Sequence, residues 1–281
     1  MKYSMLYDGG LGDVIYRMFE GNRYASLENL KPGDTCDVHI VSHNPSSPEF
    51  WKWHPNKDQL NLIVYPWREV EKNSQIREWN NVPPDCYPEG STVPPIMYAS
   101  EDDWKILASI PQFKGPSFDK YVVVAPVAGA GRRTIPNAVF QQICSVILSN
   151  GLTPILVGKS YERPGIRSLR EEFIYDIPKG VISLVDKLSA PGTARLIQAS
   201  KAVVCCHSAV CMLNWFLYRK PNLVFYPDDY AANVSEINNR PMNEIKMTVE
   251  DMYNFGRFFP ETTTVFMSTY RDEILQKVVA S

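Results

Sequence analysis

The sequence predicts an α/β fold in which parallel strands are covered by helices on both faces. Three observations predict it. From Tyr121 onward, short and wholly apolar runs alternate with stretches whose apolar residues recur at helical spacing. The chain opens on a strand, a glycine-rich turn and a helix in immediate succession. The stretch Pro111-Gln112-Phe113-Lys114-Gly115-Pro116 punctuates the chain between two such halves.

In the first half, residues 3–7 form the opening strand and Asp8-Gly9-Gly10-Leu11-Gly12-Asp13 the loop. Val14, Ile15, Met18 and Phe19 then mark one face of a helix. Strands are expected at 37–42 and 60–65, with the aromatic patch Phe50-Trp51-Lys52-Trp53-His54 between them. Pro83, Pro84, Pro88, Pro94 and Pro95 exclude a helix interior or a central strand over 82–97. A short helix is expected at 101–110, so the pair Asp102-Asp103 opens a helix and does not form an Asp-x-Asp metal site.

The second half is more regular. Residues 121–125 form a buried strand. A helix follows near Pro136, with Val139, Phe140, Ile143, Val146 and Ile147 on one face, and Asn150-Gly151 stops it. Strands at 154–157, 181–185, 202–206 and 222–226 alternate with helical stretches near 162–173, 193–199 and 208–217. Tyr270, Ile274, Leu275, Val278 and Val279 define a last helix. Asp228-Asp229 reads as a loop.

Bulk properties exclude several classes. With 281 residues, 44% hydrophobic and 21% charged, the chain has material for a core without disulfides or metal. A net charge of −2 gives no global attraction to nucleic acid or anionic membrane. Six cysteines are read as reduced, buried thiols, because Cys144, Cys205 and Cys206 lie inside apolar runs. Cys205, Cys206, His207 and Cys211 cluster in sequence, but adjacent strand residues face opposite ways, so no metal site is expected. No signal peptide or membrane span is visible, and a cytoplasmic setting is the expectation.

Four places carry candidate chemistry. The first is the opening glycine turn, where Gly10 and Gly12 allow close backbone approach to a ligand at a helix N-terminus. It lacks the Gly-Lys-Ser/Thr of a P-loop, and Ile15 stands where a dinucleotide fingerprint has its third glycine. That departure argues against a nicotinamide-dependent oxidoreductase. Asp13 is either a first-turn carboxylate favoured by the helix dipole or a general base at the mouth of a cleft. The second is Ala128-Gly129-Ala130-Gly131-Arg132-Arg133-Thr134-Ile135-Pro136, between a buried strand and a helix. Its arginines either neutralise a diphosphate or lie on a solvated loop. The third is Cys206-His207-Ser208-Ala209-Val210, where small residues leave room for a phosphate, or Ser208 simply caps a core helix. The fourth pairs Gly158-Lys159-Ser160-Tyr161-Glu162 with Asp186-Lys187-Leu188-Ser189, two loops that would line one crevice beside a ribose and a base. Arg17, Arg23, Lys52 and Arg68 among Trp51, Trp53 and Trp67 make either a basic aromatic surface or ordinary packing, and packing is the simpler reading.

Together these segments resemble the heptosyltransferase-like glycosyltransferases, glycosyltransferase family 9. Gly10-Leu11-Gly12-Asp13-Val14-Ile15 resembles that family's opening Gly-x-Gly-Asp motif, and Arg133-Thr134-Ile135-Pro136 its Lys-x-Trp-Pro segment. Thr153-Pro154-Ile155-Leu156-Val157-Gly158 resembles its next strand and glycine. Residues 188–199 resemble the segment after its base-contacting loop, and 202–221 its strand–helix unit ending in Lys-Pro. The resemblance covers 1–25 and 121–227. His207 stands where the family has Asp, Ala209 where it has Gly and Met212 where it has His, and the stretch before Lys220-Pro221 is one residue longer. These departures leave the donor's sugar and base open.

The resemblance implies a GT-B fold of two Rossmann-like, doubly wound domains facing across a cleft. An acceptor-side domain would span 1–115 and a nucleotide-sugar-binding domain 116–265. A C-terminal helix at 266–281 would pack back on the N-terminal domain. It implies an inverting, metal-independent transferase with a nucleotide-sugar as co-substrate and no other cofactor. Asp13 would be the catalytic base and Arg133 would bind phosphate. Ser208 and Ala209 would receive the phosphates, Glu162 the ribose, and Leu188 the base. Gly10, Gly12, Gly131, Arg132, Thr134, Gly158 and His207 would complete the donor site. The acceptor would be a saccharide or a hydroxymethylated base in viral DNA. The alternatives are a GT-B sugar-nucleotide epimerase, which needs no acceptor, and a nucleotide-sugar-binding module without turnover.

Overall fold

The computed structural model describes residues 1–19, 23–42, 44–65, 97–113, 120–128, 133–159, 175–228 and 261–281. The chain divides into two compact units, Met1–Lys105 with Ser189–Arg195, and Ile106–Leu188 with Leu196–Ser281. The stretch expected to be helical at 162–173 and the proline-rich connection at 82–96 lie outside the described residues.

The first unit is built on a parallel sheet of three strands, β1 (Lys2–Gly9), β2 (Thr35–Ser42) and β3 (Leu60–Tyr65), in that order. Helix α1 (Leu11–Phe19) buries Val14, Ile15 and Met18 fully, as their spacing predicts. The expected six-residue glycine loop is far shorter. Strand β1 runs on through Gly9, whose φ of 109° suits glycine, and α1 starts two residues later. The aromatic patch is mainly core. Phe50 and Trp51, on the single turn α2 (Glu49–Lys52), are fully buried, and Trp51 packs 4.6 Å from Tyr7. Trp53 is exposed, while Trp67 and Arg68 lie outside the described residues. Helix α3 (Glu101–Ser109) carries the Asp102-Asp103 pair in its first turn, as expected.

The second unit holds six parallel strands: β4 (Tyr121–Ala125), β5 (Thr153–Leu156), β6 (Ile182–Ser183), β7 (Ala202–Cys206), β8 (Asn222–Tyr226) and β9 (Thr262–Phe266). Their order across the sheet is β6-β5-β4-β7-β8-β9. This is the 3-2-1-4-5-6 winding of dinucleotide-binding folds, with the reversal between β4 and β7. Every residue of β4, β7 and β8 is buried, which a parallel strand covered on both faces requires. The strand expected at 181–185 shrinks to Ile182–Ser183, because β6 is an edge strand pairing only with β5.

Helix α4 (Asn137–Ser149) buries Phe140, Ile143, Cys144, Val146 and Ile147 and ends at Gly151, whose φ is 71°. Helix α5 (Ala190–Gln198) precedes β7. The helix expected at 208–217 divides into α6 (Ala209–Leu213) and a π turn (Asn214–Tyr218). The Arg219 N–H donates to the Asn214 carbonyl at 2.8 Å, closing over one residue more than an α turn. The Asn214 side chain ties off the turn by bonding both the N–H and the carbonyl of Lys220.

The last helix, α7 (Asp272–Ala280), corrects one expectation. The resemblance implies packing on the N-terminal domain, whereas the helix's apolar face lies in the core of the second unit. Leu275, Val278 and Val279 join Phe140, Ile143, Ile147 and Phe225 there. Burying each such side chain contributes about 1.5–3 kcal/mol, and α7 has no larger apolar face to place elsewhere. The five described cysteines are free and buried. Among the described residues, no helix is long and apolar enough to cross a membrane.

Candidate functional site

The reversal of strand order puts the ends of β4 and β7 next to each other, where open α/β sheets bind ligands. Arg133 follows β4, and His207 and Ser208 follow β7. The Arg133 loop is pinned at Ile135 from both sides of its peptide group. The Ile135 N–H donates to the Pro126 carbonyl at 2.8 Å, and the Tyr175 hydroxyl donates to the Ile135 carbonyl at 2.7 Å. The Tyr175 ring is itself packed 4.7 Å from Phe140.

Arg133 Nη1 donates to the His207 carbonyl at 3.0 Å and lies 3.4 Å from His207 Nδ1. A guanidinium only donates, so Nδ1 is the acceptor and Nε2 carries the proton. Burial, then the Arg133 charge, lowers the imidazole pKa to about 3, so His207 is neutral at any physiological pH. Tyr226 stacks on the imidazole at 5.2 Å and 22°, and Trp215 flanks it at 5.8 Å. Trp215 is fixed in turn by its indole N–H donating to Thr262 Oγ1 at 2.9 Å.

Arg133 Nε and Ser208 Oγ are both buried without a hydrogen-bond partner. Ser208 occupies the N-cap position of α6 with extended backbone, yet its side chain makes no cap bond. Two buried polar atoms without partners each cost roughly 1–3 kcal/mol, which a ligand accepting from them would recover. Among the described residues Arg133 forms no salt bridge. Arg133, His207 and Ser208 thus present a cation, a neutral N–H donor and a hydroxyl in one small region.

The remaining candidates are distributed as follows. Thr134 and Ala209 flank this cluster in sequence, and both are half-buried. Gly158 and the 186–188 turn are brought together, because the Asp186 N–H donates to the Gly158 carbonyl at 3.0 Å. Leu188 is buried at the end of that turn. Gly10, Gly12 and Asp13 lie in the first unit. Gly10 precedes α1 and accepts from the Val14 N–H, while Gly12 and Asp13 fall in its first turn. The structure describes only the backbone of Asp13. Gly131, Arg132 and Glu162 lie outside the described residues. No group of three or more His, Cys, Asp or Glu among the described residues is placed to hold a metal ion.

Sequence reasoning missed Tyr175, Trp215 and Tyr226. Tyr226 ends the strand neighbouring the one that carries His207, so its place beside the imidazole is set by strand order, for which the sequence carries no signal.

The winding, with a polar cluster at its reversal, defines a doubly wound α/β fold with parallel sheets. No family model and no curated protein matches the sequence. Among solved structures, the chain is similar to E. coli ADP-heptose LPS heptosyltransferase II. There the TM-score is 0.56 and the identity 11%, over 100% of this chain and 98% of that one. It is also similar to a family 9 glycosyl transferase from Veillonella parvula DSM 2008, with TM-score 0.58 and 11% identity over 99% and 96%. At this identity the likeness is one of fold.

Proposed function

We propose that the chain is an inverting glycosyltransferase of the GT-B type that uses a nucleotide-sugar donor. The observation that carries this reading is the cluster of Arg133, His207 and Ser208 at the strand reversal. A nucleotide-sugar's leaving group is a diphosphate, and charge builds on it as the glycosidic bond breaks. Donors already in place at that position stabilise the transition state without reorganising. Arg133 supplies the cation, so the reaction is proposed to proceed without metal and to continue in excess EDTA. His207 donates through Nε2 while remaining neutral, and Ser208 Oγ donates beside it. Asp13 is proposed as the base that removes the acceptor proton. The acceptor is proposed to be a saccharide, or a hydroxymethylated base in DNA.

The test is a thermal-shift panel of UDP-, ADP-, GDP- and CMP-sugars. A ligand at a hundred times its Kd stabilises the native state by about 2.7 kcal/mol, so the matching base will stand out. No shift with any member overturns the proposal. In the same assay Arg133→Ala is expected to weaken the matching nucleoside diphosphate by roughly tenfold or more, since a charge-assisted bond contributes ~1.5–3 kcal/mol. Unchanged affinity would remove Arg133 from the site.

A further inference from the structure

Ser189 stands at the N-cap of helix α5, whose N-terminus is completed by a residue far away in sequence. In a capping box, the N-cap Ser or Thr bonds the N–H of the N3 residue, and an N3 Glu or Gln bonds back to the N-cap N–H. Ser189 meets the first half of this rule, accepting from the Gly192 N–H at 3.1 Å. It cannot meet the second, because its N3 residue is a glycine. Asp103 takes the missing role. Its Oδ1 accepts from the Ser189 N–H at 2.8 Å and its Oδ2 from the Ser189 hydroxyl at 2.6 Å. The same carboxylate closes the capping box of its own helix, accepting from the N–H and hydroxyl of Ser100, while the Asp103 N–H donates to Ser100 Oγ.

Gly192 and Asp103 fit one another sterically. A Cβ on residue 192 would fall 2.6 Å from the Asp103 Cγ, so any larger residue displaces the carboxylate. A second carboxylate, Glu49, accepts from the Ala190 N–H at 2.8 Å. Asp103 is 2% exposed, so its four bonds are made away from competing water.

The three residues before Ser189 form the turn at 186–188. Asp186 there has a φ of 60°, one of two non-glycine residues with positive φ among the described residues. Such a conformation persists only where its surroundings hold it. Its upstream anchor is the Asp186 N–H bond to the Gly158 carbonyl, and its downstream anchor is Ser189, held by Asp103.

We propose that Asp103 is a positioning residue for recognition of the nucleotide base, acting through Ser189 on the turn at 186–188. The proposal rests on the donor-site reading above together with the expectation that Leu188, at the end of that turn, meets the base. Asp103 does not touch the nucleotide. It fixes the end of the turn that does, and Gly192 is required to admit it. The base contacts should therefore depend on Asp103, while the phosphate contacts at Arg133 and Ser208 should not.

The test compares two ligands by calorimetry: the nucleoside diphosphate named by the thermal-shift panel, and inorganic pyrophosphate, which lacks a base. In D103N and in S189A, the Kd for the nucleoside diphosphate is expected to rise tenfold or more, and that for pyrophosphate to change less than twofold. R133A is expected to weaken both. A loss of both ligands together in D103N and S189A would mark a merely structural role and overturn the proposal, as would unchanged nucleotide affinity. S189A, which removes one hydroxyl, carries the test alone if D103N does not fold. Wild-type protein that binds neither ligand overturns the donor-site reading and this inference with it.

Discussion

Asp13→Ala is expected to lower the rate of sugar transfer by roughly 10²–10⁴-fold, the usual worth of a positioned general base. Asp13 falls in the first turn of a helix that starts two residues after a parallel strand ends. That is where open α/β sheets place ligand-facing groups, and the positive end of the helix dipole favours a carboxylate there. The acceptor hydroxyl is a poor nucleophile until its proton is taken. Alanine removes the proton acceptor and leaves the Arg133 cluster untouched. The loss is thus expected in kcat, with nucleoside diphosphate affinity within about twofold of wild type. Single-turnover assays beside calorimetry separate the two. Unchanged turnover would return Asp13 to an ordinary first-turn residue.

Acidification below pH 6.5 is expected to destabilise the protein strongly. Two buried imidazoles resist protonation in the native state. Burial lowers His54 to about 4, and burial with the Arg133 charge lowers His207 to about 3, from an ordinary 6.5. His54 Nδ1 accepts from the Asn56 N–H, and its ring meets those of Tyr24 and Tyr98 edge to face. In the unfolded chain both rings take up protons near 6.5. Between there and pH 4 the unfolded state binds more protons than the native one, so stability falls as pH falls. Each group contributes about 2 kcal/mol of loss by pH 5, or ~4 kcal/mol together, against a usual total of about 5–15. The melting temperature should drop by about 10 °C between pH 8 and pH 5. His54→Gln and His207→Gln should each flatten part of that slope. A melting temperature constant over this range would show that neither ring is held neutral by the fold.

Asp13 and His207 both follow strand ends, and strand ends are the legible part of the sequence. The strands β4, β7 and β8 announce themselves because a strand buried on both faces has no polar alternation to obscure it. The positions of Arg133, His207 and Ser208 after those strands follow from the same pattern. Strand order does not, because the chain presents strands in sequence while the sheet interleaves them. The stacking of Tyr226 on His207 and the packing of Trp215 beside it were therefore invisible. The bond between Asp103 and Ser189 spans 86 residues and left a single local trace, a glycine where a capping box wants a carboxylate. The glycine run predicts a longer loop than the structure has, because glycines favour loops on average, whereas Gly9 here ends a strand and Gly12 enters a helix.

The interleaved strand order also governs the protein's birth on the ribosome. The central strand β4 pairs with β5 soon after it emerges, but its other edge must await β7, where Val122 meets Ala202. At about 5–20 residues per second, that edge stays bare for roughly 4–16 s of synthesis. An apolar strand with unpaired amides is a template for wrong partners during that interval. Slow translation or a missing holdase should therefore reduce soluble yield before any defect in the finished fold can be measured.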